Sequence, residues 1–376
     1  MRSERATKEA LNVSDFQHEL LETLCGLPAV AGHEDDMVSF LRERYLELTA
    51  EVEVDRIGNV IARFPGRSET PRVMVFAHMD QIGFCVKHIT EQGFIKIDRI
   101  GGVNRKVLVG REVVVHTEKG QRVPGTIGVM AHHLTSEAQR FVVPDIPELY
   151  VDAGISSKTD AAELGIQVGD SITFDSPYRR LGPHRVRAQA LDNRVGLYII
   201  LKVAEQLSAT PPAGTVYVVS TVQEEFNVRG SEPAARAIDP HAAICVDIAV
   251  PGDTPDLEGV NDVRLGGGPT MRLMSFHGRG TLGGLIPNPR LRDLFQESAS
   301  ELGIDLQREA SIGGLTDASF LQLLHQGIPA IDVGVPCRYT HTPVELADTR
   351  DVTKAIQLLS HVLSKVSPET DFSRGR

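Results

Sequence analysis

The chain has 376 residues, 41% of them hydrophobic, which supplies a sizeable core and suggests two domains or one large domain carrying an insertion. A formal charge of −11 excludes a broadly basic nucleic-acid-binding surface, and no apolar run reaches the length of a membrane span. The charged stretch 1–24 lacks the apolar centre of a signal peptide, and Cys25, Cys85, Cys245 and Cys337 form no CxxC pair, so a reducing, cytoplasmic location is expected.

Amphipathic helices are predicted over 14–26 and 34–50, where Phe16, Leu20, Leu21 and Leu24, then Met37, Phe40, Leu41, Tyr45 and Leu48, recur at three- and four-residue steps. The Pro- and Gly-containing loop LPAVAGHED separates them, and strands follow at 51–54, 59–63 and 73–77. From about 84 to 187 the texture changes to short β-like runs such as REVVVHT (111–117) and RVPGTIGVM (122–130), punctuated by Gly and Pro, with one short helix in 159–170. This reads as a compact β-rich insertion, dividing the chain into 1–83, 84–187 and 188–376. Helix–strand alternation then resumes, with helices at 193–207, 288–302, 318–326 and 351–366 and strands at 215–222 and 242–248. The fold class is α/β, with a parallel or mixed sheet covered by helices on both faces.

Acids and imidazoles recur at the ends of the apolar runs. His78 closes VMVFAHMD (73–80), Glu224 and Glu225 end VYVVSTVQEE (216–225), and Asp247 ends AAICVD (242–247). Asp192 opens a helix and His341 lies in RYTHTPVE (338–345). In open α/β sheets the carboxyl ends of the strands face one crevice, where ligands bind. Each residue also has an ordinary reading. His78 could be a core histidine, Asp192 a helix N-cap, and Glu224–Glu225 a solvated loop. Asp247 is harder to dismiss, because an Asp inside an apolar strand is rarely buried without a partner. His78 and Asp80, two apart, point to one side, so Asp80 could hold one ring nitrogen while the other binds metal. Two adjacent acids can divide their work, one binding metal and the other taking a proton from the attacking water. Two His and three acids suit Zn, Co or Mn rather than Ca, and the absence of Cys points to a catalytic site. The runs GGGP (266–269) and GTLGG (280–284) lack the context of a phosphate loop, no G-x-S-x-G elbow occurs, and the pair His132–His133 is expected in a loop of the insertion.

The stretches AHMDQIGF (77–84), ALDNRVG (190–196), VQEEFNVRG (222–230), CVDIAVPGDTP (245–255), GGLTDAS (313–319) and RYTHTPVE (338–345) resemble, in order, those of the tetrahedral aminopeptidase family, which includes glutamyl aminopeptidases and FrvX or cellulase M-like proteins. The resemblance spans about 20–365. It implies a zinc-exopeptidase-type catalytic domain interrupted by a PDZ-like β domain, two divalent cations per subunit (Zn, with Co or Mn as alternatives), short peptide substrates, and a homo-oligomer, either a tetrahedral dodecamer or dimers. Carried over by motif, His78 and Asp247 would bind one cation and Glu225 and His341 the other, with Asp192 bridging, Glu224 as general base and Asp80 behind His78. Neither nucleic acid nor membrane is an expected partner. Gln81, Phe226–Asn227 and Leu315 depart from the family pattern. A related amidohydrolase acting on a non-peptide amide, or a non-catalytic assembly protein keeping the fold, are the competing readings. The cellulase label has no support in a chain with no Trp to stack sugars.

Overall fold

The computed structural model describes residues 16–278, 280 and 283–374. The N-terminal stretch 1–15, including the start of the helix expected from 14, and residues 281 and 282 of the 280–284 glycine run lie outside the described residues. Two helices, α1 (His18–Gly26) and α2 (Asp35–Leu46), precede strands β1 (Val52–Val54), β2 (Val60–Phe64) and β3 (Arg72–His78). Six strands, β4 (Gly83–Ile89), β5 (Ile95–Ile100), β6 (Glu112–His116), β7 (Arg122–Ile127), β8 (Tyr150–Asp152) and β9 (Ser171–Phe174), then close into a barrel in the order β4-β5-β8-β7-β6-β9, with the short helix α3 (Lys158–Glu163) before β9. The barrel has its own core, including Phe84, Ile97, Val115, Val151 and Ile172.

The chain returns through β10 (Arg179–Leu181) and β11 (Arg185–Ala188) to helix α4 (Leu191–Ala209). These two strands fall within the 84–187 stretch yet join the large sheet: β11 pairs with β18 (Glu345–Asp348). Strand β12 (Thr215–Thr221), helix α5 (Ser231–Ile238) and β13 (Ala242–Ala249) follow. Next come β14 (Thr270–Phe276), β15 (Gly284–Leu285), helix α6 (Pro289–Leu302), β16 (Gln307–Ile312), β17 (Ala330–Arg338) and, after β18, helix α7 (Thr349–Lys365).

The large sheet is mixed, running β1-β2-β12-β3-β13-β17-β18-β11-β10, with β14 on β17 and β15 and β16 on β14. Its centre, β12, β3, β13 and β17, is parallel. Alternation along these strands divides the core between two faces. Val73, Val75 and Ala77 pack with Val216, Val218, Ile244 and Val246 under α1, α4, α6 and α7. Met74, Phe76, Val219, Ala243 and Cys245 pack on the other face under α5. Sheets covered on both sides carry such near-continuous apolar strands.

The helix expected over 318–326 is instead a 3-10 turn at Leu321–Leu323. Ala318, Leu321 and Leu324 are buried at three-residue steps, a spacing that 3-10 turns satisfy without an α-helix. Among the described residues no helix is long and apolar enough to cross a membrane.

Candidate metal centre

The parallel centre brings the carboxyl ends of β3, β12, β13 and β17 to one edge. His78 ends β3 directly beside Thr221 at the end of β12, and Asp247 in β13 is in register with Gly334 of β17. Glu224–Glu225 and His341 lie three residues or so beyond β12 and β17, and Asp192 opens α4. These strand ends, the turns beyond β12 and β17 and the start of α4 therefore meet on the same rim.

Two groups of ligand atoms result, each lying within 4.8 Å of one another: His78, Asp192 and Asp247 in one, and Asp192, Glu225 and His341 in the other. Asp192 belongs to both. Its Oδ1 lies 3.3 Å from His78 Nε2 and its Oδ2 lies 3.6 Å from His341 Nε2. Asp247 Oδ1 is 3.9 Å from His78 Nε2, and Glu225 Oε1 is 3.3 Å from His341 Nε2. Glu224 reaches only to 4.0 Å from His78 and joins neither group. His132 and His133 occupy an exposed turn of the barrel and join neither group.

Capping is not what holds Asp192. The backbone at Asp192 (φ −80°, ψ 100°) and Asn193 (φ −122°, ψ 43°) is not helical, and the cap is Asn193, whose Oδ1 accepts from Gly196 N at 3.0 Å while its Nδ2 donates to Val246 O at 2.8 Å. The Asp192 carboxylate is thereby left to face the two imidazoles.

Asp80 does more than sit behind His78. The His78 Nδ1 contact of hydrogen-bond geometry is with the Asp80 carbonyl, at 3.2 Å, and the carboxylate lies 3.4 Å away. That carboxylate accepts from Glu224 N and Glu225 N, each at 2.9 Å, and so fixes the turn carrying both acids. A second carboxylate, missed in the sequence, plays the matching part opposite. Glu345 Oε2 accepts from Asp192 N and Oε1 from His341 N, both at 2.9 Å. Its signal was an acid opening the apolar run Leu346–Ala347, the same kind of mismatch that marked Asp247.

The three departures have defined places. Gln81 Oε1 accepts from buried Arg194 Nη2 at 2.8 Å; that guanidinium also holds the carbonyls of Met79 and Leu27. The Phe226–Asn227 turn is closed by Val228 N donating to Glu224 O at 2.8 Å, with Asn227 and Val228 at positive φ and Arg229 stacked 4.7 Å from the Phe226 ring centre. Beyond Leu315, Asp317 remains buried and accepts from Thr221 Oγ1, next to His78 in register.

Burial pushes Glu225 up to about 7 and Glu224 and Asp247 well above the usual carboxylate range, with mutual repulsion adding to it. Burial is the largest single influence on Asp192 and raises it, but His78, His341 and Arg272 together outweigh it and hold Asp192 low. Burial works against protonation of both histidines, yet Asp192 and Asp80 raise His78, and Glu225 and Asp192 raise His341 to about 9. Nearby Arg272 is already committed to Asp332 and Glu309. Asp192, Asp247, Glu224 and Glu225 thus outnumber the cationic groups facing them, in a place where desolvated charge is costly. The oxygen and imidazole donor set, with one carboxylate shared, fits a pair of divalent cations.

An α/β sheet whose strand ends gather two candidate ligand groups around one shared carboxylate is the framework of a metal-dependent enzyme. The chain belongs to the M42 glutamyl aminopeptidase family, whose model matches residues 58–358, and is a metallo-aminopeptidase. It is 36% identical over 362 residues to the lysyl aminopeptidase of Pyrococcus furiosus, covering 94% of this chain and 99% of that one. Among solved structures, an aminopeptidase from the archaeon Desulfurococcus kamchatkensis superposes with a TM-score of 0.88 at 33% identity, covering 96% of each chain. The Pyrococcus horikoshii TET1 peptidase, which can assemble into a tetrahedron or a large octahedral shell, superposes with a TM-score of 0.83 at 29% identity over 93% of this chain and 99% of that one.

Proposed function

We propose that His78 and Asp247 hold one divalent cation and Glu225 and His341 a second, with Asp192 shared and zinc the native ion, in an enzyme that removes N-terminal residues from short peptides. The observation that carries this reading is the Asp192 carboxylate, whose two oxygens face imidazoles of different ligand groups at 3.3 and 3.6 Å. When bound, such a cation pair polarises the scissile carbonyl and lowers the pKa of the attacking water.

The chain's own residues do the rest. Glu224, outside both ligand groups, takes the proton from the attacking water and delivers it to the leaving amine. Asp80 fixes Glu224 through its backbone N–H, so the base keeps its place as its charge changes. The substrate's free α-amine would be held by a nearby carboxylate or by one of the cations, which favours exopeptidase over endopeptidase action.

In the same reading the chain is a cytoplasmic homo-oligomer of the dodecameric, tetrahedral kind. Within the 84–187 insertion the six-stranded barrel is a PDZ-like assembly domain, while β10 and β11 go with the catalytic segments 1–83 and 188–376. The separate core of the barrel, the exposed Leu134 and Phe141 on its long loop, and the four free cysteines support these assignments.

Dialysis against a chelator should abolish release of N-terminal residues, and Zn, Co or Mn should restore it. Glu224→Gln should retain both cations while kcat falls about 10²–10⁴-fold. Retained activity in that variant, with metal bound, overturns Glu224 as the base. Light scattering on the same sample reads the assembly.

A further inference from the structure

Glu345 is buried and makes no ion pair among the described residues, yet both its oxygens are used, each by a backbone N–H of a different segment. Those N–H groups belong to Asp192 and His341, which lie far apart in the chain. A buried carboxylate with a purely structural task can brace a single turn, as Asp351 does by accepting from Gly266 N and Gly268 N, two residues apart, at 2.7 and 2.8 Å. Glu345 instead ties together the two residues whose side chains must meet for the second ligand group to exist. His341 needs such a tie. Its backbone is left-handed, with φ +62°, and its ring is partly exposed, steadied otherwise by Gly102 O, 2.9 Å from Nδ1.

We propose that Glu345 is a positioning residue for the cation held by Asp192, Glu225 and His341, acting through two backbone hydrogen bonds and touching no ligand side chain. The inference rests on the two-cation reading above. It makes an asymmetric demand. Two of the three residues in the His341 group hang from Glu345, against one of three in the His78 group. Asp80 is its counterpart on the other side, gripping Glu224 N and Glu225 N. The two carboxylates together set the backbone of four site residues.

The test is a stepwise titration of metal-stripped protein with Zn²⁺ by calorimetry, repeated with Co²⁺ followed by its visible absorption. In Glu345→Ala one of the two equivalents should bind with a constant close to that of the parent. The other should be weakened on the order of 100-fold, and in Glu345→Gln, which keeps the volume and one acceptor, about 10-fold. Asp351→Asn is the control: it loses a double N–H acceptor of the same kind, and should lower the unfolding midpoint without altering either binding step. The clamp is overturned if both Glu345 variants keep both constants, or lose both by the same factor. If Glu345→Ala does not fold, the Gln variant decides alone on the same criterion. A parent protein that takes up fewer than two equivalents overturns the two-cation reading itself, which separates that failure from failure of the clamp.

Discussion

Replacing Arg272 by Met tests how the centre of the sheet carries its buried charge. The guanidinium lies between β13, β16 and β17. Its Nη1 donates to Asp332 Oδ2 at 2.7 Å and its Nη2 to Ile248 O at 3.0 Å and Glu309 Oε1 at 3.4 Å, while Nε lies 3.3 Å from Glu309 Oε2. Met fills most of the stem's volume but leaves the buried carboxylates of Asp332 and Glu309 without their cation and the Ile248 carbonyl without that donor. Removing one partner of such a buried set costs about 3–5 kcal/mol, since the surviving charge stays desolvated. Urea unfolding of metal-stripped protein, followed by far-UV circular dichroism, should show the midpoint falling at unchanged slope. The companion variant Arg272→Met with Asp332→Asn and Glu309→Gln removes the orphaned charges while keeping acceptors for Thr316 and Thr270, and should recover most of the loss. A single variant that loses less than about 1 kcal/mol, or a companion no more stable than the single, refutes the account of an uncompensated charge.

Other expectations are simpler. At Gly334, in register with Asp247, an added Cβ would meet Thr270 Oγ1 and come within 2.9 Å of Ala249 Cβ. Gly334→Ala should therefore cost about 1–3 kcal/mol by overpacking and weaken metal binding, read by unfolding and by zinc titration. In the barrel, burial and the nearby Arg122 hold His116 down to about 4, with its Nε2 2.8 Å from Thr173 Oγ1. The folded state then stays neutral while the unfolded chain, with an ordinary histidine near 6.5, takes up a proton. His116 therefore withdraws stability as pH falls from about 6.5 towards 4 and has no such effect above that window. His116→Gln should flatten the pH dependence of the unfolding midpoint within that window, and an unchanged slope would show that the imidazole is not the source.

Much of the framework is legible in the residue pattern because the central strands are near-continuous apolar runs and the helices carry apolar residues at helical spacing. Helices α4, α6 and α7, and strands β3, β12 and β13, fall within a few residues of where apolar spacing places them. The misses have physical causes. β17 contains Asp332, Gly334 and Pro336, all unfavourable in a strand by local rules; Asp332 is tolerated because Arg272 reaches it across the sheet. β16, QREASI, is largely polar because it is paired only along one side, on β14. The site residues on strand ends were visible as acids in apolar surroundings. The role of Asp192 was obscured by the same chemistry that makes Asp a good cap, and the cap proved to be Asn193. Glu345 was visible only as an acid before Leu346–Ala347, and its role stayed hidden because its partners are backbone groups.

The site is also divided in time of synthesis. His78 is made before the barrel, and Asp192, Glu225 and Asp247 after it, while His341 and Glu345 come only after β17. A nascent chain that has not yet emitted β17 and the turn beyond it holds one ligand group without its neighbour, and its Asp192 N–H has no acceptor from Glu345. The group formed by Asp192, Glu225 and His341 is therefore completed only after β17 has been made.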